Sequence, residues 1–271
     1  MTEPASQTVE LLDETWRAIA ALCEGLTEAE LLTPTDCPGW SVKDILSHIL
    51  GTERTLRGET APDVDAGGDH VKNDLGRFNE QWVESLRSSP GAEVLAEFRD
   101  VTAAQTRARR RLGAAEMDEV VFTPFGEMPL ASWLDIRLFD CFSHEQDIRH
   151  ALGRPGNLDG GAAARALHRG VAALPRAVGR AARGMPDGTR AQVVVEGDLG
   201  GSWEVEVTGG RGAMAEAAGS VDASLRADLD TFLRLLWGRV AVDHAESEGG
   251  LVVTGDTSLG RRIAAGLNVM P

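Results

Sequence analysis

Tyrosine is absent from this chain of 271 residues, so no phenol is available as a general acid or base. Aromatic residues together make up 5% of the chain, leaving most burial to aliphatic side chains. Cations are also scarce. Lys and Arg number 27 against 42 Asp and Glu, giving a formal charge of −15 and a pI near 4.8. A nucleic-acid backbone needs a cationic surface, so that class of partner is not expected. The one basic run, Arg107-Ala108-Arg109-Arg110-Arg111, reads as a solvated helix face balanced by nearby acids. Three cysteines (Cys23, Cys37, Cys141) cannot all pair internally, and none forms C-x-x-C. Cys23 and Cys141 sit among apolar residues and read as small buried hydrophobes. No apolar run approaches membrane-spanning length, and the first residues lack the basic-then-apolar pattern of a secretory signal. A reducing cytoplasm is therefore the expected compartment, with no membrane partner. Phosphate-binding glycine loops and a G-x-S-x-G elbow are missing, so nucleotide binding and that hydrolase type have no support.

What is present divides near Pro155. Up to that point the apolar spacing is helical. Helices are expected over Thr8 to Glu24, from Ser41 onward, over Arg77 to Arg87, over Gly91 to Leu112, and over Leu130 to Leu152. Ser41 reads as an N-cap, with Asp44 as the acid near the positive helix end. Residues 60 to 70 and 123 to 129 read as loops. Gly153-Arg154-Pro155 is a stop signal. Four main helices joined by loops predict an all-α bundle over residues 1–156. Beyond it lie a helix (Gly160 to Gly184), a strand pair (Ala191 to Gly197, Trp203 to Val207), a further strand near Ser224 to Ala227, a helix (Asp228 to Gly238), a strand (Leu251 to Thr254) and a closing helix (Ser258 to Leu267). Mixed elements of this kind predict a separate α+β domain over residues 157–271, with the hinge between Gly153 and Gly161.

Two segments carry the chemistry. The first runs from Asp36-Cys37-Pro38-Gly39-Trp40-Ser41 to Ser47-His48, and the second is Asp140-Cys141-Phe142-Ser143-His144-Glu145-Gln146-Asp147-Ile148-Arg149. On a helix Asp140 and His144 lie one above the other. His48 from a facing helix completes a two-histidine, one-carboxylate set, which leaves coordination positions for water or substrate. Asp147, one turn after His144, is placed to orient its ring, as carboxylates do for metal-bound histidine. Glu145 is the alternative carboxylate, but helical geometry turns it about 100° from His144. The plainer readings are a hydrogen-bonded His48 at the edge of an apolar stripe and an Asp–His pair on the surface. Cys37 lies near a helix start, where a thiolate is stabilised, with no histidine beside it in sequence. His70, His150, His168 and His244 read as surface or packing residues.

The segment at 36–48, Thr-Pro-Phe-Gly at 123–126 and His-Glu-Gln-Asp-Ile-Arg-His-Ala-Leu-Gly-Arg-Pro at 144–155 resemble the mycothiol-dependent maleylpyruvate isomerase family, a branch of the DinB-like metal-binding four-helix bundles. The second half, through Asp228 to Arg239 and Leu251-Val252-Val253-Thr254-Gly255-Asp256, is similar to sterol carrier protein type 2 domains. The resemblance implies a divalent metal, usually zinc, held by His48, Asp140 and His144, and mycothiol as thiol cofactor or co-substrate. It also implies an arginine from the second domain at the site, for which Arg239 is the candidate. In the maleylpyruvate isomerase branch glutamate stands where this chain has Asp140, which favours thiol transfer over that isomerisation. The expected function is thus a metal-dependent S-transferase or cis–trans isomerase acting on a small electrophile. The alternatives are a non-catalytic metal- or apolar-ligand-binding protein, and a metal-dependent hydrolase that uses no thiol.

Overall fold

The computed structural model describes residues 3–217 and 219–270. The chain divides into two compact units after Gly156. In chain order the first holds α1 (Glu3–Leu22), α2 (Glu28–Leu31), α3 (Val42–Thr55), α4 (Asp74–Leu86), α5 (Gly91–Arg109), α6 (Ala114–Asp118), β1 (Val120–Thr123), β2 (Gly126–Pro129) and α7 (Leu130–Ala151). Helices α1, α3, α5 and α7 make the bundle: α1 packs on α5 and α7, α3 packs on the same two, and α4 adds to α3.

Helix α3 is the central element. Ser41 caps it: its hydroxyl accepts from Asp44 N, and Asp44 Oδ2 accepts from Ser41 N at 2.9 Å. Val42, Ile45, Leu46, Ile49 and Leu50 are all fully buried, each a contribution of roughly 1.5–3 kcal/mol. At Gly51 a Cβ would lie 2.2 Å from the Trp82 ring, so glycine is what lets α4 approach α3 this closely.

Two expectations are corrected in this unit. Residues 123–129 are not a simple loop. β1 and β2 pair antiparallel from Val120↔Pro129 to Thr123↔Gly126, leaving only Pro124 and Phe125 as the turn. Thr123 closes it, its hydroxyl donating to Gly126 O at 2.7 Å and accepting from Phe125 N at 3.1 Å. The prolines read as loop because they break ladders, but they sit in the turn and at a strand end, where no ladder donor is needed. The basic run is also not uniformly solvated. Arg110 pairs with Glu10 and Asp13 at the surface, while Arg109 is buried against Glu53.

The second unit holds α8 (Gly161–Ala181), β3 (Arg190–Glu196), β4 (Gly201–Thr208), β5 (Arg211–Ala215), β6 (Ala223–Asp228), α9 (Leu229–Leu236), α10 (Val242–Ser247), β7 (Leu251–Gly255) and α11 (Thr257–Ala265). The strand order is β5-β4-β3-β6-β7, with β3 parallel to β6 and the other neighbours antiparallel. Alternation puts Ala191, Val193 and Val195 of β3 and Ala223, Leu225 and Ala227 of β6 into the core, where α8, α9 and α11 pack. Gly179 of α8 and Gly212 of β5 meet backbone to backbone. A Cβ on Gly179 would lie 2.7 Å from Gly212 N, so this helix–strand contact requires glycine. This is the expected two-domain architecture: a helical bundle followed by an α+β domain.

Candidate metal centre

The Cys37-Pro38-Gly39-Trp40 turn builds one wall of the site. Trp40 N donates to Cys37 O at 3.1 Å and Gly39 has φ +80°, the pattern of a type II turn with proline then glycine at its centre. The turn delivers Trp40 over both histidines. Its ring centroid lies 4.9 Å from that of His48 and 5.7 Å from that of His144. Trp40 Nε1 donates to Glu80 Oε2 at 2.8 Å, which fixes the ring. Glu80 is buried and also meets His70 Nε2 at 2.9 Å and Arg87 Nη2 at 2.8 Å. His70 is therefore not a casual surface residue; it anchors the 60–73 segment against Gly39 and Glu80. His150 and His244 also have partners, Asp36 and Glu248.

The structure brings His48 of α3 together with Asp140 and His144 of α7, their donor atoms lying within 4.8 Å of one another. His48 Nε2 lies 3.4 Å from Asp140 Oδ2, and His144 Nε2 lies 3.5 Å from Asp140 Oδ1. Both histidines are buried, and the Asp140 side chain is 22% exposed, the open edge of the set. His144 Nδ1 lies 3.0 Å from Asp147 Oδ2. A carboxylate only accepts, so this partner puts the ring proton on Nδ1 and turns the Nε2 lone pair toward Asp140. Two acceptors then face each other, an arrangement that a proton or a cation must bridge.

The separations suit a long hydrogen bond and a bridging ion alike. They exceed the roughly 2.7–3.2 Å of a good N–H···O bond. The edge of a tetrahedron around an ion at about 2.1 Å from each ligand is about 3.4 Å, near both separations, although these run to different oxygens of Asp140. Two imidazoles and a carboxylate are donor types that suit a divalent cation of the zinc type. Charge separates the two rings. Burial dominates at His48 and holds its pKa below the usual value, keeping the ring neutral as a ligand must be. At His144 burial is outweighed by the Asp140 and Asp147 carboxylates, which push it up. At Asp140 burial is outweighed by the Arg137 guanidinium and the two histidines, which hold it well below the ordinary carboxylate range.

Cys37 also joins this neighbourhood, grouped with His144 and Asp147. That proximity was invisible in sequence, since it depends on the turn closing over α7. Cys23 and Cys141 are buried, and burial pushes both thiols up to about 12. Glu145 points elsewhere and pairs with Arg149. Arg239 belongs to the second unit, just after α9, where its guanidinium donates to Trp237 O at 3.3 Å. A groove of about 480 Å³ between α1 and α5, lined by Trp16, Arg99 and Arg110 among others, shares no residue with the donor set.

A helical bundle carrying a histidine–carboxylate–histidine set across two helices, followed by an α+β domain, defines the class. Residues 12–149 match the mycothiol maleylpyruvate isomerase N-terminal domain family, and the chain belongs to it. Residues 180–268 match the SCP-2 sterol transfer family. Two crystal structures share the fold over 92% of this chain and 92% of their own. One is a mycothiol-dependent maleylpyruvate isomerase, at 13% identity and a TM-score of 0.54. The other is a histidine-to-alanine mutant of a mycothiol-dependent maleylpyruvate isomerase, at 14% identity and a TM-score of 0.58. No curated protein matches the chain. Among the described residues no helix is long and apolar enough to cross a membrane.

Proposed function

We propose that this protein is a metal-dependent enzyme that uses mycothiol as thiol cofactor or co-substrate against a small electrophile. The observation that carries the reading is the convergence of His48, Asp140 and His144, whose donor atoms lie within 4.8 Å of one another. Membership of the mycothiol maleylpyruvate isomerase family supports the choice of thiol.

The roles follow from position. His48 Nε2, His144 Nε2 and the Asp140 carboxylate hold the metal, zinc by donor type. When bound, a divalent metal supplies the acidity that keeps a thiol as thiolate at neutral pH. Asp147 accepts from His144 Nδ1, fixing the tautomer and aiming the ring. Trp40, held by Glu80, covers both imidazoles and keeps water off that side. The exposed edge of Asp140 leaves one direction open for thiol and substrate. Thiol transfer and thiol-assisted cis–trans isomerisation need the same apparatus, and we take transfer as the general description. Arg239 stays the candidate for the second-domain arginine that the family resemblance implies.

The test is turnover of a small electrophile by the zinc-loaded protein, with and without mycothiol, followed by mass spectrometry. A mycothiol conjugate, or isomerisation that requires mycothiol, is expected. Equal consumption without mycothiol identifies a hydrolase and contradicts the proposal.

A further inference from the structure

Asp140 has a partner that the proposed metal role does not use. Arg137, one turn earlier on α7, donates from Nη1 to Asp140 Oδ2. Arg137 is buried, and Glu53 Oε1 receives its Nε and Nη2, each at 3.3 Å. Glu53 is also buried. Its Oε2 accepts from Arg109 Nη2 at 2.6 Å and from Gln105 Nε2 at 3.1 Å. Charge therefore alternates along an interior line from α5 through α3 to α7: Arg109, Glu53, Arg137, Asp140.

Two features of this line bear on the site. First, an arginine touching a carboxylate meant for a dication repels that dication unless another charge offsets it. Glu53, shared with Arg109, offsets part of that charge, and the four groups sum to zero only with Asp140 included. Second, Glu53 and His48 lie on the same helix. The guanidinium is a rigid planar fork, with one part on Glu53 of α3 and another on Asp140 of α7. The spacing between the helix that carries His48 and the carboxylate that faces it thus passes through one inflexible group.

We propose that Arg137 is a positioning residue for the metal centre: held by Glu53, it fixes one oxygen of Asp140 and sets the separation between Asp140 and His48. The carboxylate's remaining lone pairs are left for the cation. The inference rests on the metal reading given above.

The test is zinc affinity of the full chain, by competition with a chromogenic chelator, for wild type, Arg137→Lys and Arg137→Met. Circular dichroism and thermal melting establish that each variant is folded. Arg137→Met is expected to weaken zinc by about 10- to 100-fold, the usual cost of losing a group that orients a ligand. Arg137→Lys keeps the charge without the fork and is expected to recover only part of the loss. Equal or tighter zinc binding by folded Arg137→Met overturns the inference, since a purely structural arginine lowers melting without moving affinity. Should Arg137→Met not fold, Arg137→Lys decides, and wild-type affinity in that variant overturns the inference. A wild type that takes up no zinc contradicts the metal reading and this inference with it, an outcome distinct from the others.

Discussion

The bundle buries His48, Glu53, Glu80, Arg109, Arg137, His144 and Asp147, whereas the buried polar side chains of the α+β unit are Thr189, Glu204 and Thr231 among the described residues. The two units therefore close their interiors by different means. The α+β unit relies on apolar alternation in its strands and on helices such as α9, whose Phe232, Leu233 and Leu236 are almost completely buried. The bundle spends much of its interior on ionic groups, each of which costs free energy to dehydrate and recovers it only through partners. Apolar residues of like size are often as stabilising as a buried ion pair. The concentration of such groups around one donor set thus speaks for chemistry there and for stability elsewhere.

That contrast can be broken at its most expensive point. Glu53→Ala leaves Arg109 and Arg137 buried without their shared carboxylate, and is expected to cost about 3–5 kcal/mol, read by chemical denaturation. A loss below 1 kcal/mol would mean that the ionic line is not integral to the bundle. The matching change in the other unit is Leu233→Ala, expected to cost about 2–5 kcal/mol through the cavity it leaves. It should leave zinc affinity untouched, and a parallel fall in affinity would show that the two units are not independent in this respect.

The contrast can also be sharpened by ligand. Zinc at about 100 times its Kd is expected to stabilise the bundle by about 2.7 kcal/mol. A scanning-calorimetry trace should show the bundle's transition move and that of the α+β unit stay in place. The smallest effect expected is at Asp147. Asp147→Ala removes the acceptor for His144 Nδ1 without removing a ligand, so zinc binding should weaken about 10- to 100-fold, whereas His144→Ala should abolish stoichiometric zinc. Identical behaviour of the two variants would make Asp147 a ligand instead of a support.

Much of this was legible in the sequence because its causes are local. The Ser41–Asp44 cap, the Pro38-Gly39 turn and the one-turn offset of Asp140 and His144 are all encoded within a few residues. The fold class followed from the change in periodicity after Pro155. What sequence missed depends on pairing across the chain. Glu53 is an unremarked acid on α3 until Arg109 and Arg137 close on it. His70 gains its role only when the 60–73 segment brings it to Glu80. Arg137 shares a helix face with Asp140, a spacing that could have flagged it, but arginine is so common on helix surfaces that the signal is weak. The short strand β5, Arg211-Gly212-Ala213-Met214-Ala215, lacks β-branched residues. It pairs because β4 offers it an edge and Gly212 admits α8.

The central claim is that His48, Asp140 and His144 form one cation site across α3 and α7. Elemental mass spectrometry on the purified wild type and on His48→Ala tests it directly. About one equivalent of zinc in wild type, lost in the folded variant, is the predicted result. Wild type without metal after reconstitution, or full zinc retained in His48→Ala, contradicts it.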